Sequence, residues 1–145
     1  PDLQDTNGGT ALMGAADQGQ EACVQALLRA KANPDLQANN GGTALMGAAD
    51  QGHEACVQAL LRAKANTELH DNDGITALMG AADHGQQACV KVLLRAKANT
   101  ELLDDEGDTA LQYAEIKGHT ATARLIRQHA APPQPATTAP AAPPD

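Results

Sequence analysis

Aromatic side chains are almost missing from this chain of 145 residues, which contains no Trp, no Phe and a single Tyr. Proteins that bind single-stranded nucleic acid stack its bases on aromatic rings, and affinity for any nucleic acid comes mainly from clustered Lys and Arg. The net charge here is −8. The sequence therefore argues against a nucleic-acid partner, and it predicts a core of small and aliphatic side chains between closely packed helices.

Long apolar runs and the usual catalytic patterns are also absent from the sequence. No stretch approaches the roughly 20 apolar residues that a membrane-spanning helix needs. The chain has no Ser, and it contains no glycine-rich phosphate loop and no cluster of metal ligands. We therefore expect no membrane insertion, no enzyme activity, and no cofactor or metal.

The three cysteines, Cys23, Cys56 and Cys89, lie 33 residues apart. Packed helices lie about 8–10 Å apart, whereas a disulfide needs Cα atoms within about 7 Å, so we expect neither disulfides nor a shared zinc site. Small buried thiols are typical of a reducing compartment, and we expect an intracellular protein, cytoplasmic or nuclear. The catalytic alternative is a Cys–His nucleophile made by His53 and Cys56, for which the sequence offers no orienting carboxylate or oxyanion donor.

The most informative pattern is the octapeptide TALMGAAD, which occurs at residues 10–17, 43–50 and 76–83. It belongs to a unit of 33 residues, because residues 7–39 and 40–72 differ at only five positions. Residues 73–105 repeat the unit with more changes, and residues 106–130 form a degenerate fourth copy. A fixed period of this size is typical of stacked arrays in which each unit buries its apolar face against its neighbours.

Each unit carries the signals of two short helices. Thr10 is predicted to cap the first helix, since its hydroxyl can accept a free backbone N–H, and Gly19 to end it. A second helix is predicted from about Gln20 to Ala30, with its apolar side chains on one face. Helices of two or three turns are unstable alone in water, so we expect them to persist only through packing.

Ten residues of the first unit carry a resemblance to a known family. They fall in the pattern G-x-T-P-L-H-x-A-A-x-x-G-H…V…L-L…G-A, and they are Gly8, Thr10, Leu12, Ala15, Ala16, Gly19, Val24, Leu27, Leu28 and Ala32. The unit thereby resembles an ankyrin repeat. The resemblance implies that residues 1–130 form an all-α solenoid of helix-turn-helix units. It also implies short finger turns or β-hairpins between units, and a concave surface made of fingers and first helices.

The units depart from the family pattern at three positions. Ala replaces the family's Pro, as at Ala11, and Met replaces its His, so a methionine ladder is predicted in place of a polar one. The family's Gly after the second helix is Lys31, Lys64 and Lys97. If these lysines are left-handed, each costs roughly 1 kcal/mol.

The two ends of the array are predicted to differ. Residues 1–6 resemble residues 34–39, so we expect them to be the end of a preceding repeat, with the array beginning upstream. Without that neighbour, Leu12, Val24 and Leu27 are predicted to lie on an exposed outward face that invites association. At the other end, polar residues on the last helix predict a terminal cap: Arg124, Arg127, Gln128 and His129.

Residues 131–145 form a Pro/Ala-rich tail with six prolines. We expect an extended, polyproline-like segment. It is predicted to act as a flexible tail or linker, or alternatively as a ligand for a proline-binding domain or another subunit.

Acidic residues indicate a binding face. Asp17, Asp50 and Asp83 are predicted to form a ladder on the concave surface, and a glycine three residues before each leaves the groove beside them bare. The first two units present nearly the same face, so we expect specificity to reside in the later units. The predicted partner-binding residues are Asp50, Asp73, Ile75, Asp83, His84, Asp105, Glu106, Asp108, Tyr113, Ile116 and Lys117. Solvated charge that keeps the stack soluble is the alternative for any single acid, and Tyr113 is either an anchor or part of the cap's packing.

These observations favour a non-catalytic scaffold that binds a polar or cationic protein partner through its acidic concave and finger face. One alternative is a structural subunit that assembles through its N-terminal repeat face and Pro-rich tail, including contacts between copies of the chain. A second alternative is a regulatory or targeting segment of a larger enzyme.

Overall fold

The computed structural model describes residues 1–130, and its helices form four consecutive pairs. In chain order they are α1 (Ala11–Asp17), α2 (Glu21–Arg29), α3 (Ala44–Asp50), α4 (Glu54–Arg62), α5 (Ala77–Asp83), α6 (Gln87–Arg95), α7 (Ala110–Ile116) and α8 (Thr120–Ala130). The two helices of a pair pack on each other, while first helices pack on first helices and second helices on second helices along the chain. This is the all-α solenoid that the sequence predicts. The predicted conformation of the tail at 131–145 lies outside the described residues.

Threonine caps explain where the first helices begin. In every unit the Thr hydroxyl accepts the backbone N–H three residues later at 3.2 Å, which satisfies one of the free donors of the first turn. The capping residues are Thr10, Thr43, Thr76 and Thr109. The predicted cap at Thr10 is therefore confirmed. In the third unit the predicted replacement of a polar side chain by Met is visible directly, because the sulfur of Met79 accepts the Thr76 N–H at 3.4 Å.

Left-handed lysines end the second helices. Lys31, Lys64 and Lys97 have φ of 70°, 68° and 68°, so they adopt the left-handed conformation at the position of the family's Gly. The Ala32 amide donates to the Leu27 carbonyl at 3.0 Å, in the pattern that closes a helix C-terminus around a left-handed residue. This bond satisfies a carbonyl that the helix leaves free, and it offsets part of the strain at the lysine.

Finger turns connect the units, and backbone hydrogen bonds join neighbouring fingers. The Asn39 amide donates to the Asn7 carbonyl at 2.8 Å, and the equivalent bond recurs in the later fingers. Over residues 1–130 the fingers contain no strand, and their only bridge is the antiparallel pair His70 and Thr76. Of the two forms that the resemblance allowed, the turn is the one observed.

The core runs through the whole array between the two helix layers. Equivalent fully buried side chains recur in the first three units: Leu12, Leu45 and Leu78 on first helices, and Val24, Val57 and Val90 on second helices. Because the aliphatic core is divided among units, each helix pair contributes to the burial of the next.

The prediction of an exposed N-terminal apolar face is wrong for two of its three residues. Leu12 is 1% exposed and Val24 is 0% exposed, and Leu27 is half-buried. These side chains point into their own unit and toward the second unit. The exposed outward positions hold small side chains instead, and they include Cys23, which the sequence analysis expected to be buried.

The polar side chains of the last helix, Arg124, Arg127, Gln128 and His129, are exposed. Their role as a terminal cap stays a prediction. On its inner side Thr122 occupies the position that cysteine holds in the other units, and its buried hydroxyl has no hydrogen-bond partner. No helix among residues 1–130 is both long and apolar enough to cross a membrane.

Candidate binding groove

A groove of about 540 Å³ runs along the first helices and fingers of the first three units and ends at the fourth. Three kinds of side chain recur along it at equivalent positions. They are the methionines Met13, Met46 and Met79, the glycines Gly14, Gly47 and Gly80, and the aspartates Asp17, Asp50 and Asp83. The helix caps determine this arrangement, since each Thr hydroxyl sets where its helix begins and therefore which residues of TALMGAAD face the groove. The predicted aspartate ladder does lie on the concave surface.

The glycines lie in the middle of helices where the fold itself does not demand them. None has a positive φ, and a Cβ added at Gly14 would meet nothing within 4 Å. At Gly47 the nearest atom would be Oδ1 of Asp17 at 3.4 Å, an ordinary contact with a movable side chain. Glycine inside a helix costs roughly 0.5–1 kcal/mol relative to alanine. The bare floor of the groove is therefore maintained against the stability of the helices.

Two of the three ladder carboxylates contact a histidine or a lysine side chain of the chain itself. His84 Nδ1 lies 2.8 Å from Asp50 Oδ1, and Lys117 Nζ lies 2.9 Å from Asp83 Oδ1. Among residues 1–130, the Asp17 carboxylate has no such partner, and the closest side-chain donor to its oxygens is the Gln18 amide at 3.4 Å. The open carboxylate thus lies at the N-terminal end of the ladder, in a residue that the predicted partner-binding set left out.

The backbone behind each ladder aspartate is held by the following unit. His53 Nε2 donates to the Asp17 carbonyl at 3.0 Å, and the equivalent side chains of the later units, Gln86 and His119, do the same for Asp50 and Asp83 at 3.2 and 3.0 Å. These bonds fix the main chain from which the carboxylates project. They also show what His53 does, which is to join two units.

Tyr113 forms the C-terminal end of the groove. Its hydroxyl donates to the carboxylate of Asp104, which also accepts the backbone amides of Glu106 and Asp108 at 2.9 and 2.8 Å. Burial, helped by the Asp104 carboxylate, raises the pKa of Tyr113 above its usual range, and the hydrogen bond from Tyr113 lowers the pKa of Asp104. Of the two roles predicted for Tyr113, packing in the cap is observed, and the same ring also lines the groove.

The structure brings five of the eleven predicted partner-binding residues together in the groove: Asp50, Ile75, Asp83, His84 and Tyr113. The other six lie outside its lining: Asp73, Asp105, Glu106, Asp108, Ile116 and Lys117. Asp73, Asp105 and Glu106 are exposed on the fingers, and Ile116 is 71% exposed on α7. Their contribution to binding stays a prediction.

The predicted Cys–His alternative has no support in this geometry. His53 is engaged with the Asp17 carbonyl, and Cys56 is buried among the helices. Burial raises the pKa of both inner thiols, that of Cys89 to about 11, which disfavours the nucleophilic thiolate. Within residues 1–130 no three His, Cys, Asp or Glu side chains are grouped so that they could hold a metal.

Comparison with protein families bears on the whole described chain. The family model described as "Ankyrin repeats (3 copies)" matches residues 1–71 and again residues 60–135. No curated protein matches the chain. Repeats of this family generally mediate protein–protein interaction and are typically non-catalytic.

Proposed function

The chain belongs to the ankyrin repeat family, and on that premise we propose that it is a non-catalytic scaffold whose concave groove binds a polar or cationic segment of a protein partner. The observation that carries this proposal is the bare, acid-lined floor of the groove. Three helices each hold a glycine at the point where a side chain would fill the groove, and at Gly14 and Gly47 alanine would stabilise the helix. Glycines that destabilise their helices without a structural need are typical of a surface kept open for a ligand.

The charge of the groove supports a cationic partner. Asp17 offers an open carboxylate, and the ion pair of Asp83 with Lys117 at 2.9 Å supports the proposal that a ladder carboxylate binds a cationic side chain. Complementary charge accelerates encounter and sets the register of a bound segment. The half-buried Met13 and Met46 beside the acids provide adaptable apolar contacts for the rest of the segment.

The burial of side chains at the N-terminal repeat face weakens the alternative of a structural subunit that assembles through this face. End-to-end stacking was predicted from exposed Leu12 and Val24, and both are buried within the chain. The three free cysteines support the proposal that the scaffold works in a reducing, intracellular compartment.

A blocked groove tests the function. Peptides selected from a random displayed library on the immobilised chain serve as probes, and their affinity is measured by fluorescence anisotropy. In Gly47→Leu, the new side chain projects into the groove from a helical position that tolerates a Cβ. We expect the affinity to fall by roughly tenfold or more, because the filled floor excludes the peptide backbone.

The matched control is Ala55→Leu, which adds the same side chain to the same unit at an exposed position of α4, outside the groove lining. It should bind like the unmodified chain. Equal affinity of Gly47→Leu and Ala55→Leu for all selected peptides would show that binding takes place elsewhere.

A further inference from the structure

The three aspartates of the ladder recur along the groove at a regular interval. Packed helices have axes about 8–10 Å apart, and α1, α3 and α5 pack side by side. The carboxylates of Asp17, Asp50 and Asp83 occupy equivalent positions at the C-terminal residue of these helices. Equivalent binding positions therefore recur along the groove at about the same interval.

An extended segment matches this interval once every three residues. A polyproline-type chain rises about 3.1 Å per residue with three residues per turn, so residues i and i+3 present side chains on the same side about 9 Å apart. A strand rises about 3.3 Å per residue, but its residues i and i+3 point to opposite faces. The polyproline-type conformation is the one that presents equivalent side chains to successive carboxylates.

A helical ligand approaches the groove floor less closely than an extended one. A helix with its side chains is about 10–12 Å wide, so its axis stays about 5–6 Å above the floor. An extended backbone is thinner, and the bare glycines let it lie closer to the floor.

Resting on the proposed function, we infer that the groove selects an extended segment of a partner protein with basic side chains three residues apart, one for Asp17 and one for Asp50. The third position is already filled by the chain itself, because Lys117 holds Asp83 at 2.9 Å. Asp50 keeps one oxygen beyond the His84 contact, with only the Gln51 amide near it at 3.4 Å. Arginine suits these carboxylates better than lysine, since its planar fork can donate two hydrogen bonds to one of them.

Three peptides of identical composition test the spacing. Each carries two arginines in an alanine–proline background, separated by two, three or four positions, and binding is measured by fluorescence anisotropy at low salt. We expect the peptide with a separation of three to bind roughly tenfold tighter than the other two, because it alone places both arginines on carboxylates. Asp17→Asn should abolish this preference, whereas Glu21→Gln, which removes an exposed charge from α2 of the same unit, should preserve it.

The position of Lys117 provides a second test. A peptide with three arginines at intervals of three should gain little over two arginines on the unmodified chain. On Lys117→Gln it should bind several-fold tighter than the two-arginine peptide, because Asp83 is then open. Lys117 is exposed on the last unit, so this substitution leaves the core intact.

The outcomes separate the spacing from the function. Equal affinities for all three spacings that all fall in Asp17→Asn would overturn the three-residue rule and leave the cationic groove in place. Binding that is indifferent to Asp17→Asn, or no binding of any arginine peptide, would also overturn the inference. In those cases the comparison of Gly47→Leu with Ala55→Leu still decides whether the groove is the binding site.

Discussion

The first two units differ at five positions of 33, yet equivalent side chains lie in different surroundings. Cys23 is exposed, whereas Cys56 is 1% exposed. Ala26 is exposed, whereas Ala59 is buried. The difference comes from the unit that precedes each of them in the stack, since the first helix pair covers the outward positions of the second.

This comparison separates the core positions that a unit buries without a preceding unit from those that need one. Leu12 and Val24 are as deeply buried as Leu45 and Val57, so the helix pair and the following unit suffice to cover them. The outward positions depend on the preceding unit. The stability of such an array is a sum of intrinsic and nearest-neighbour contributions, and the two units of nearly identical sequence allow them to be measured separately.

The largest effect is expected from removing a core leucine in each of these units. Leu45→Ala should lower the free energy of unfolding by about 3 kcal/mol, the usual cost of a cavity at a fully buried leucine. Leu12→Ala should cost less, because the first unit has a single neighbour among the described units and can open locally. Urea denaturation gives both values, and hydrogen exchange shows whether α1 and α2 open first. A loss at Leu12 equal to that at Leu45 would mean that neighbours do not determine local stability.

Thiol reactivity should also distinguish exposed from buried positions, with a smaller effect on the free energy of unfolding than the leucine variants. A thiol reagent should modify Cys23 rapidly in the folded chain, and Cys56 and Cys89 only upon unfolding. Burial raises the pKa of Cys89 from its ordinary value of 9.0 to about 11. Between these two pH values the Cys89 thiol ionises in the unfolded chain but stays protonated in the folded chain. Ionisation stabilises the unfolded state, so the free energy of unfolding falls as the pH rises from about 9 to about 11.

Two cysteine variants isolate this pH dependence from the ionisation of Lys and Tyr, which all variants share. Cys89→Ala should make the decline between pH 9 and 11 shallower, whereas Cys23→Ala should leave it unchanged. Denaturation at a series of pH values measures both slopes. Identical slopes in the two variants would show that the Cys89 thiol is as accessible to water as Cys23.

The smallest effect is expected at the groove floor. Gly14→Ala should raise the free energy of unfolding by roughly 0.5–1 kcal/mol, because alanine restricts the unfolded chain and meets no atom within 4 Å in the folded one. Gly47→Ala should gain somewhat less, since its Cβ contacts Asp17 at 3.4 Å. Thermal denaturation resolves both values. A loss of stability in either variant would give these glycines a role in folding.

The fold could be predicted because its signals are local and repeated. The cap at Thr10 depends on a few neighbouring residues, and the 33-residue period repeats such local signals along the chain; the structure confirms the cap and the repeated helix pairs. The burial of Leu12 and Val24 was not predicted correctly. A helical apolar face is visible in the sequence, but whether it packs inside its own unit or against the preceding one depends on how the two helices cross.

The site could be predicted only in outline, for a similar reason. The ladder and its glycines follow from the period, but the pairing of Lys117 with Asp83 joins two units and depends on side-chain conformation. The bond from Tyr113 to Asp104 likewise connects a helix to the finger before it. Asp17 is missing from the predicted set because specificity was expected in the later units, where equivalent side chains differ, and the sequence does not show that its carboxylate is the open one.

The bonds from His53, Gln86 and His119 back to the carbonyls of the ladder give the array a direction of growth. Each unit finishes the binding position of the unit before it and leaves its own to be finished by the next. In an array of this kind the number of units exceeds the number of complete ladder positions by one, because the last unit only supports the position of the unit before it. Here the fourth unit supplies His119 and Lys117 to Asp83 and carries Ile116 where another aspartate would stand. If the groove binds an extended segment as we infer, a gene duplication that inserts one internal unit would lengthen that segment by three residues without requiring any change at either end.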